Sequence, residues 1–517
     1  MTGFRFAAPL LMVALAIAAH SPARPLAAQV SAAPPRAAGP PLDVPAIDTL
    51  AIRGHTRFLA DDLLLGRGTG TPGERIAAAY IVSQLKRLGL QPLPGSASFL
   101  HPIPLRAARV GETSSLLLQV GQDGRSFMHG RDFIVNTGGT GAFRDFRGRT
   151  LFLGQPVHAA DLIAAERSLV GQVAVFLGPL GASALDIVPA LSHAGAAGVI
   201  IMVPDADQYA LYVRSRGETR YFVDAAVDDP VWQPDLPVLI AGPALSDALL
   251  DGIDIPPALL QGTATRGVDL GRSIVAVIHT SISTVEAANV AAMLPGSDPA
   301  LSGEYVVYTA HYDHLGVSVP DATGDSIYSG FSDNAAGVAM LLAIAEALRD
   351  VPPARSLVFL FFTGEERGLL GSSYMAATQP VPLERIAGLI NLDAGAPPAP
   401  PISWRIAGGD SSIGDSSIGQ TAARVAARRG WTTTLSPASP NSDHWPFAQR
   451  GVPAIFIIPG DVWEDTTPEQ RLALRERWDR YHQASDRWHA DFPFAGLARY
   501  AEYALMVGLE IASDSPR

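Results

Sequence analysis

The 517-residue sequence contains no cysteine. This absence excludes disulfide bonds, a thiolate nucleophile and a zinc site built on sulfur ligands. Any zinc ion would therefore have to be held by histidine and carboxylate side chains. The length is sufficient for a large apolar core and suggests more than one domain.

Positive charge and phosphate-binding chemistry are also scarce. The chain has 38 Lys and Arg residues against 50 Asp and Glu residues, which gives a formal net charge of -12. With no visible basic patch, this balance argues against nucleic acid as a partner. The glycine-rich stretch 66–73 lacks the Lys-Ser/Thr pair of a phosphate-binding loop, so it predicts a structural turn.

One apolar run lies near the N-terminus. It covers Phe6–Ala19, follows Arg5 and precedes the small residues Ala27 and Ala28, which together predict a secretory signal over 1–28. The run is short for a membrane span, although an uncleaved anchor is the alternative. Residues 29–45 are rich in alanine and proline and predict a linker. We therefore expect export to the periplasm or the medium, with no stable membrane span after cleavage.

The rest of the chain divides into two kinds of sequence. Residues 46–110 and 286–517 carry long helical patterns and clusters of acidic residues and histidine, which predict the catalytic domain. Residues 111–285 carry short β-like runs and almost no such clusters, which predicts an inserted β-rich domain. His193 in this insert is predicted to lie on a helix surface, because no other ligand type is near it in sequence.

Three apolar runs in the second half each end in side chains that bind metals. The side chains that follow these runs are His311 and Asp313, then Glu365 and Glu366, then Asp393. Such runs predict buried parallel strands, and ligands bind at the carboxyl ends of strands in open parallel sheets. Asp333 joins the group from the turn before a predicted helix over 334–349. Nitrogen and oxygen ligands of this kind suit zinc.

Each of these side chains also has an ordinary interpretation. Asp333 fits a helix N-cap equally well. Glu365 and Glu366 fit a solvated surface, although adjacent carboxylates after so apolar a strand repel each other unless a cation lies nearby. Asp313 is either the acceptor that fixes the tautomer of His311 or a surface charge.

Several motifs recur in one order along the chain. They are His311-Tyr312-Asp313, Asp333-Asn334, Gly364-Glu365-Glu366, Asn391-Leu392-Asp393, Ser442-Asp443-His444 and Tyr481-His482. Together they resemble the family-28 zinc metallopeptidases, the co-catalytic zinc aminopeptidases, over about 45–110 and 285–515. The insert resembles the protease-associated domain that many members carry. Relatives more often have a small residue at the position of Phe331. We expect this difference to affect access to the site and not the binding of metal.

The resemblance implies an α/β fold, a three-layer sandwich around a mixed, mostly parallel central sheet of the zinc aminopeptidase and phosphorylase/hydrolase-like type. It implies two Zn²⁺ ions per chain. Asp333 would bridge the ions, with a cis peptide bond after it. His311 and Asp393 would ligate one ion, and Glu366 and His482 the other.

The resemblance also assigns roles beside the metal ions. Glu365 would be the general base, and Asp313 would orient His311. Asp443, His444 and Asp486 are expected to contact substrate or support the ligands. Asp486 is the candidate orienter of His482, and His444 is the alternative fifth ligand should His482 not serve.

The expected activity is that of an aminopeptidase acting on peptides with a free N-terminus. Three alternatives stay open on the same fold: a glutaminyl cyclase, a carboxypeptidase for acidic dipeptides, and a catalytically dead receptor-like protein. A cyclase uses a single zinc ion, so the presence of both His311 and Asp333 argues against it. A dead scaffold loses metal ligands, whereas all five predicted ligand positions are filled here.

Overall fold

The computed structural model describes residues 44–135, 144–156, 163, 168–178, 187–216, 219–224, 236–318, 320–393, 395–410 and 417–513. The predicted signal over 1–28 and positions 29–43 of the predicted linker lie outside the described residues.

Helices and strands alternate along most of this part of the chain. The helices are α1 (Thr49–Leu59), α2 (Pro72–Arg87), α3 (Val188–His193), α4 (Ala206–Arg216), α5 (Pro243–Leu250), α6 (Pro257–Leu260), α7 (Ala336–Leu348), α8 (Leu370–Thr378), α9 (Ser417–Arg428), α10 (Trp445–Ala448), α11 (Pro468–Trp478) and α12 (Ala495–Ser513). Short 3₁₀ turns cover Asp62–Arg67 and Leu383–Arg385.

The strands divide between two large sheets and one small hairpin. They are β1 (Leu100–Val110), β2 (Ser115–Val120), β3 (Asp123–Met128), β4 (Phe133–Val135), β5 (Phe146–Phe152), β6 (Gln172–Leu177), β7 (Gly198–Met202), β8 (Thr219–Val223), β9 (Val238–Ala241), β10 (Val268–Val277), β11 (Thr280–Leu294), β12 (Tyr305–His311), β13 (Gly316–Val317), β14 (Ile327–Tyr328), β15 (Ser356–Phe362), β16 (Ile386–Asn391), β17 (Ser403–Ala407), β18 (Thr432–Ser436) and β19 (Ala454–Pro459).

The first sheet has nine strands in the order β18-β17-β19-β16-β12-β15-β11-β1-β8. Its middle strands β19, β16, β12 and β15 run parallel, as their continuous apolar sequences predict. The long strands β1 and β11 pair antiparallel, and β11 also pairs antiparallel with β15. Four of the eight neighbouring pairs in this described sheet are parallel, so the expectation of a mostly parallel sheet was too strong.

The second sheet has eight strands in the order β3-β2-β10-β5-β6-β7-β9-β4 and is built within the predicted insert. The predicted strand–helix–strand over 170–201 is present as β6, α3 and β7, with the two strands parallel. Its interior is an apolar cluster separate from those of the first sheet. Strand β8 also comes from the predicted insert, yet it pairs with β1 at the edge of the first sheet. The predicted domain limits stay a prediction.

Apolar side chains cover both faces of the first sheet. Val306 and Tyr308 of β12 belong to the cluster that contains α7 and α12, whereas Tyr305 and Val307 belong to the cluster that contains α8 and α10. This alternation follows from the two-residue period of a strand. In the parallel pairing, His311 lies opposite Phe362 of β15. The segments that follow the central strands therefore leave the sheet at the same edge.

Helix α7 packs against β12 and is almost completely buried. The stretch Phe331–Leu348 is, among the described residues, the one that is long and apolar enough to cross a membrane, and 89% of it is buried inside the protein. Gly337 in its first turn lies so close to Asn334 that an added Cβ would lie 2.2 Å from the Asn334 Oδ1 atom and 2.6 Å from the Leu392 carbonyl oxygen. The backbone N–H of Gly337 donates a 2.9 Å hydrogen bond to that Asn334 oxygen.

Two glycine-to-alanine substitutions should therefore have opposite effects on the free energy of unfolding. Gly337→Ala should destabilise the protein by about 1–3 kcal/mol, since the added methyl group meets polar atoms that have no room to move. Gly54→Ala, in α1, is the matched control, because a Cβ at Gly54 meets no atom within 4 Å. It should stabilise the protein by up to about 1 kcal/mol through helix propensity. Denaturant unfolding of both variants provides the measurement, and equal stabilisation by both would contradict the packing at Gly337.

Candidate metal centre

Two groups of side chains at this edge of the first sheet are arranged to hold metal ions. The first group is His311, Glu365 and Asp393, and the second is His314, Asp333, Glu366 and His482. Within each group the potential ligand atoms all lie within 4.8 Å of one another. Imidazole and carboxylate donors without sulfur are a donor set that zinc accepts.

Asp333 lies between the two groups. Its Oδ1 atom is 3.1 Å from the Nε2 atom of His311, and its Oδ2 atom is 3.0 Å from the Nε2 atom of His482. The Oδ1 atom of Asp393 is 2.9 Å from the same nitrogen of His311, and the Oε2 atom of Glu366 is 3.3 Å from that of His482. One carboxylate thus faces both predicted metal positions, and the five predicted ligands lie together. The peptide bond between Asp333 and Asn334 is cis.

Glu365 lies at the margin of the first group. Its Oε2 atom is 4.0 Å from the Nε2 atom of His311, farther than the nearest oxygens of Asp333 and Asp393. Burial raises the pKa of the Glu365 carboxyl well above its usual range; His311 opposes the shift, and Asp393 adds to it. Glu365 therefore lies beside the nearest contacts of His311 and not among them.

Asp313 connects His311 to the turn that carries Glu365. Its Oδ1 atom lies 3.6 Å from the Nδ1 atom of His311 and accepts a 3.2 Å hydrogen bond from the backbone N–H of Glu365. Its Oδ2 atom accepts a 2.7 Å hydrogen bond from the Thr69 hydroxyl. Asp313 is fully buried, so these contacts fix its orientation.

The electrostatics of the cluster favour a bound cation. Burial alone would lower the pKa of His311, but the carboxylates of Asp393 and Glu365 raise it well above its usual range. Burial raises the pKa of Asp443, a further carboxyl next to these groups, to about 7. Several carboxyl groups withdrawn from water repel one another unless positive charge lies between them. The side chains present therefore fit metal ions in both positions.

Two of the residues expected beside the metal ions have other contacts. Asp486 accepts hydrogen bonds from the backbone N–H groups of Ser332, at 3.0 Å, and Asp333, at 3.3 Å. It therefore holds the loop that carries Asp333, and its role as the orienter of His482 stays a prediction. His444 is buried against Phe456 and belongs to neither metal group.

His314 is a member of the second group that sequence reasoning missed. Its ring is fully buried, and its Nδ1 atom lies 2.6 Å from the Oε1 atom of Glu366. This is the length of a hydrogen bond to a charged acceptor, so His314 orients Glu366. The sequence does contain a sign of this role, because His314 directly follows the His311-Tyr312-Asp313 motif and could have been included in it.

A cavity of about 520 Å³ opens beside the two groups. Asp333, Glu365 and Asp393 form part of its wall. The aromatic and aliphatic part of the wall comprises Phe456, Ile458, Trp463, Leu474, Trp478 and Tyr481. The ring of Tyr481 stacks on that of His482 with centroids 3.9 Å apart. A substrate in this cavity would lie against both the candidate metal centre and an apolar wall.

Comparison with known proteins identifies this part of the chain. Residues 289–507 match the model of peptidase family M28. The chain carries a family M28 peptidase domain. The resemblance drawn from the motifs is thereby confirmed, and the M28 domain contains all the predicted metal ligands.

Two curated relatives and one solved structure illustrate the similarity. A probable zinc metalloprotease of Pyrenophora tritici-repentis is 29% identical over 215 residues, which are 42% of this chain and 45% of the relative. Aminopeptidase YwaD of Bacillus subtilis is 32% identical over 194 residues, 35% of this chain and 39% of the relative. An aminopeptidase from Aneurinibacillus sp. strain AM-1 covers 91% of this chain and 95% of its own, with a TM-score of 0.56 and 18% sequence identity.

These similarities differ in what they support. The structural match, at 18% identity, supports the broad α/β fold. The matched segments span less than half the length of the two curated relatives. The family and the relatives together support a zinc-dependent peptidase as the class of the M28 domain.

Metal content should depend on His482 and not on His444. The full-length protein loaded with zinc and freed of excess metal should contain about two equivalents, since two-metal sites hold their ions with separate ligand groups. His482→Ala should reduce this to about one, because it removes an imidazole from the second group. Elemental analysis of the purified variants provides the measurement.

His193→Ala and His444→Ala are the matched controls. Both remove a histidine outside the two metal groups, one of them exposed and one buried, so both variants should retain the wild-type metal content. Loss of metal from His444→Ala with retention by His482→Ala would overturn the ligand assignment.

Proposed function

We propose that this chain is an exported di-zinc exopeptidase, an aminopeptidase that removes N-terminal residues from peptides. Asp333 is the bridging ligand, His311 and Asp393 complete one metal position, and Glu366 and His482 complete the other. The second sheet is a module of the protease-associated type that shapes access to the site. The observation that carries the proposal is the position of Asp333, whose two oxygens lie 3.1 and 3.0 Å from imidazole nitrogens of two separate groups.

Zinc bound in these positions supplies an acidified water molecule and polarises the carbonyl group of the scissile bond. The Glu365 carboxylate faces the same cavity and is placed to take a proton from that water and return it to the departing amine. The hydrogen bond from the Glu365 N–H to Asp313 holds the turn that carries this base. His314 keeps the carboxylate of Glu366 in one orientation.

Tyr481 also lines the cavity, next to His482. Burial and the nearby carboxylates of Asp333 and Glu366 raise the pKa of its hydroxyl, so the group remains protonated and can donate a hydrogen bond. A donor beside the metal centre stabilises negative charge that develops on a carbonyl oxygen. Tyr481 is therefore the side chain we assign to this task.

The charge of the cavity favours a substrate with a free α-amino group. Asp333, Glu365 and Asp393 bring carboxylates to one wall, and an ammonium group is attracted to them. A second candidate activity, on acidic dipeptides, is favoured by one observation. The exposed Arg405 lines the same cavity and offers a guanidinium group to a carboxylate of the substrate.

A panel of substrates distinguishes these activities. The panel comprises aminoacyl anilides, N-acylated dipeptides ending in glutamate, and peptides that begin with glutamine. Chelator-sensitive hydrolysis of the first set alone is expected. Hydrolysis of only the N-acylated acidic dipeptides would replace the aminopeptidase assignment with the second candidate, and cyclisation of N-terminal glutamine would point to a cyclase.

Glu365 and Glu366 should respond differently to the same substitution. Glu365→Gln keeps the shape of the side chain and removes its basicity, so kcat should fall by at least about 10²-fold while metal content is retained. Glu366→Gln removes charge from a ligand, so this variant should lose metal and regain part of its activity with excess zinc. Steady-state kinetics and elemental analysis of the two variants test the assignment. The reverse pattern would show that the two roles are exchanged.

A further inference from the structure

The glycine-rich segment 66–74, which runs from the end of the first 3₁₀ turn into the first turn of α2, contacts three loops of the metal centre. Sequence reasoning gave it no role beyond that of a turn. Its polar side chains Arg67, Thr69 and Glu74 are buried, each no more than 2% exposed. None of the three belongs to a metal group among the described residues. We call residues 66–74 the clamp segment.

Arg67 joins two of the loops that carry ligands. Its Nε atom donates a 2.9 Å hydrogen bond to the Tyr312 carbonyl oxygen, next to His311. Its Nη1 and Nη2 atoms donate to the carbonyl oxygens of Ser329, at 2.7 Å, and Gly330, at 2.9 Å, just before Asp333. A planar guanidinium fixes the directions of these bonds, so one side chain sets the distance between the two loops.

Thr69 and Glu74 reach the loop that carries the proposed general base. The Thr69 hydroxyl donates to Asp313, whose other oxygen accepts from the backbone N–H of Glu365. The Glu74 carboxylate accepts from the hydroxyl of Thr363, two residues before Glu365, and from the N–H of Gly70 at 2.5 Å. The bonds of Thr69 to Asp313 and of Thr363 to Glu74 hold the turn of Glu365, and neither Thr69 nor Glu74 lines the cavity.

The backbone of the segment requires glycine at two close approaches, one to the residue before Ser329 and one to the preceding 3₁₀ turn. Gly66 has a φ of +65°, and a Cβ there would lie 2.3 Å from the Tyr328 carbonyl oxygen. At Gly73 a Cβ would lie 1.7 Å from the Leu64 carbonyl oxygen. Glycine at these positions allows the close approach that brings the buried polar side chains to the loops.

We propose that the clamp segment is a positioning element that presets the spacing of the metal ligands and the direction of Glu365 before metal binds. Arg67 positions the loops of His311 and Asp333, and Thr69 and Glu74 position the turn of Glu365. The inference rests on the proposed metal-dependent function. Its test therefore measures metal affinity separately from turnover.

The first test uses Thr69, where the shape can be kept while the hydroxyl is removed. Thr69→Val should lower kcat, or the affinity for zinc measured by chelator competition, by about tenfold or more. This is the lower end of the range for residues that support metal ligands. KM should rise by less than about threefold. The substitution should also shift the visible absorption bands of the cobalt-substituted protein. Thr69→Ser restores the hydroxyl and should recover wild-type values within about threefold.

Thr56→Val is the matched control. Thr56 is a fully buried threonine in α1 whose hydroxyl donates to the carbonyl oxygen of Ile52 in the same helix. Loss of this hydroxyl should lower the unfolding midpoint, as loss of the Thr69 hydroxyl should. The kcat, the metal affinity and the cobalt spectrum of Thr56→Val should stay at wild-type values. Wild-type values of all three in Thr69→Val would overturn the inference.

Glu74→Gln provides a second variant should Thr69→Val not fold. It keeps the length of the side chain and replaces one of the two oxygens that accept from Thr363 and Gly70 with an amide nitrogen that cannot accept, so kcat should fall while zinc content is retained. Wild-type kcat in a folded Glu74→Gln protein would contradict the role of Glu74 in positioning the turn of Glu365. Absence of zinc from the wild-type protein would instead refute the proposed function, so the two failures are distinguishable.

Discussion

The repulsion among buried carboxyl groups is the constraint on which this structure depends. The groups that gather at one edge of the first sheet are Asp313, Asp333, Glu365, Glu366, Asp393 and Asp443. Removal of these groups from water is unfavourable unless cations or hydrogen-bond donors face them. The chain places three imidazole rings against these groups, the Arg67 guanidinium adds a nearby positive charge, and the proposed metal ions would complete the neutralisation. Burial lowers the pKa of Arg67 to about 10, although the nearby carboxylates of Asp333 and Asp313 oppose the shift.

The fold satisfies this constraint by placing polar loops on a rigid apolar base. Strands β12, β15 and β16 are buried on both faces, so their carboxyl ends are fixed relative to one another. The loops beyond them are held by side chains from distant segments, such as Asp486 on the loop of Asp333. A metal site needs ligands held within tenths of an ångström, and a core packed at crystal-like density provides that rigidity.

Much of the site could be predicted because its ligands follow recognisable strands. The strands predicted to precede Glu365 and Asp393 are present as β15 and β16, and the five predicted ligands meet. The balance of parallel and antiparallel pairs was misjudged, because β1 and β11 belong to a long antiparallel ribbon whose apolar alternation does not reveal strand direction. The contacts of Asp486 with the backbone of Ser332 and Asp333 could not be predicted, since its position after His482 in sequence says nothing about which backbone it faces.

The sequence by itself determined the chemistry of this protein: the absence of cysteine, the order of the metal-binding motifs and the apolar strands that place them at one sheet edge. These features are local, because each depends on a short stretch of residues. Only the tertiary structure decided which side chains support the ligands. Arg67 and Tyr312 are 245 positions apart and Glu74 and Thr363 are 289 positions apart, so no periodicity or spacing connects them. Such contacts arise when separate segments pack together, because a buried polar group then takes whichever partner the fold brings within reach.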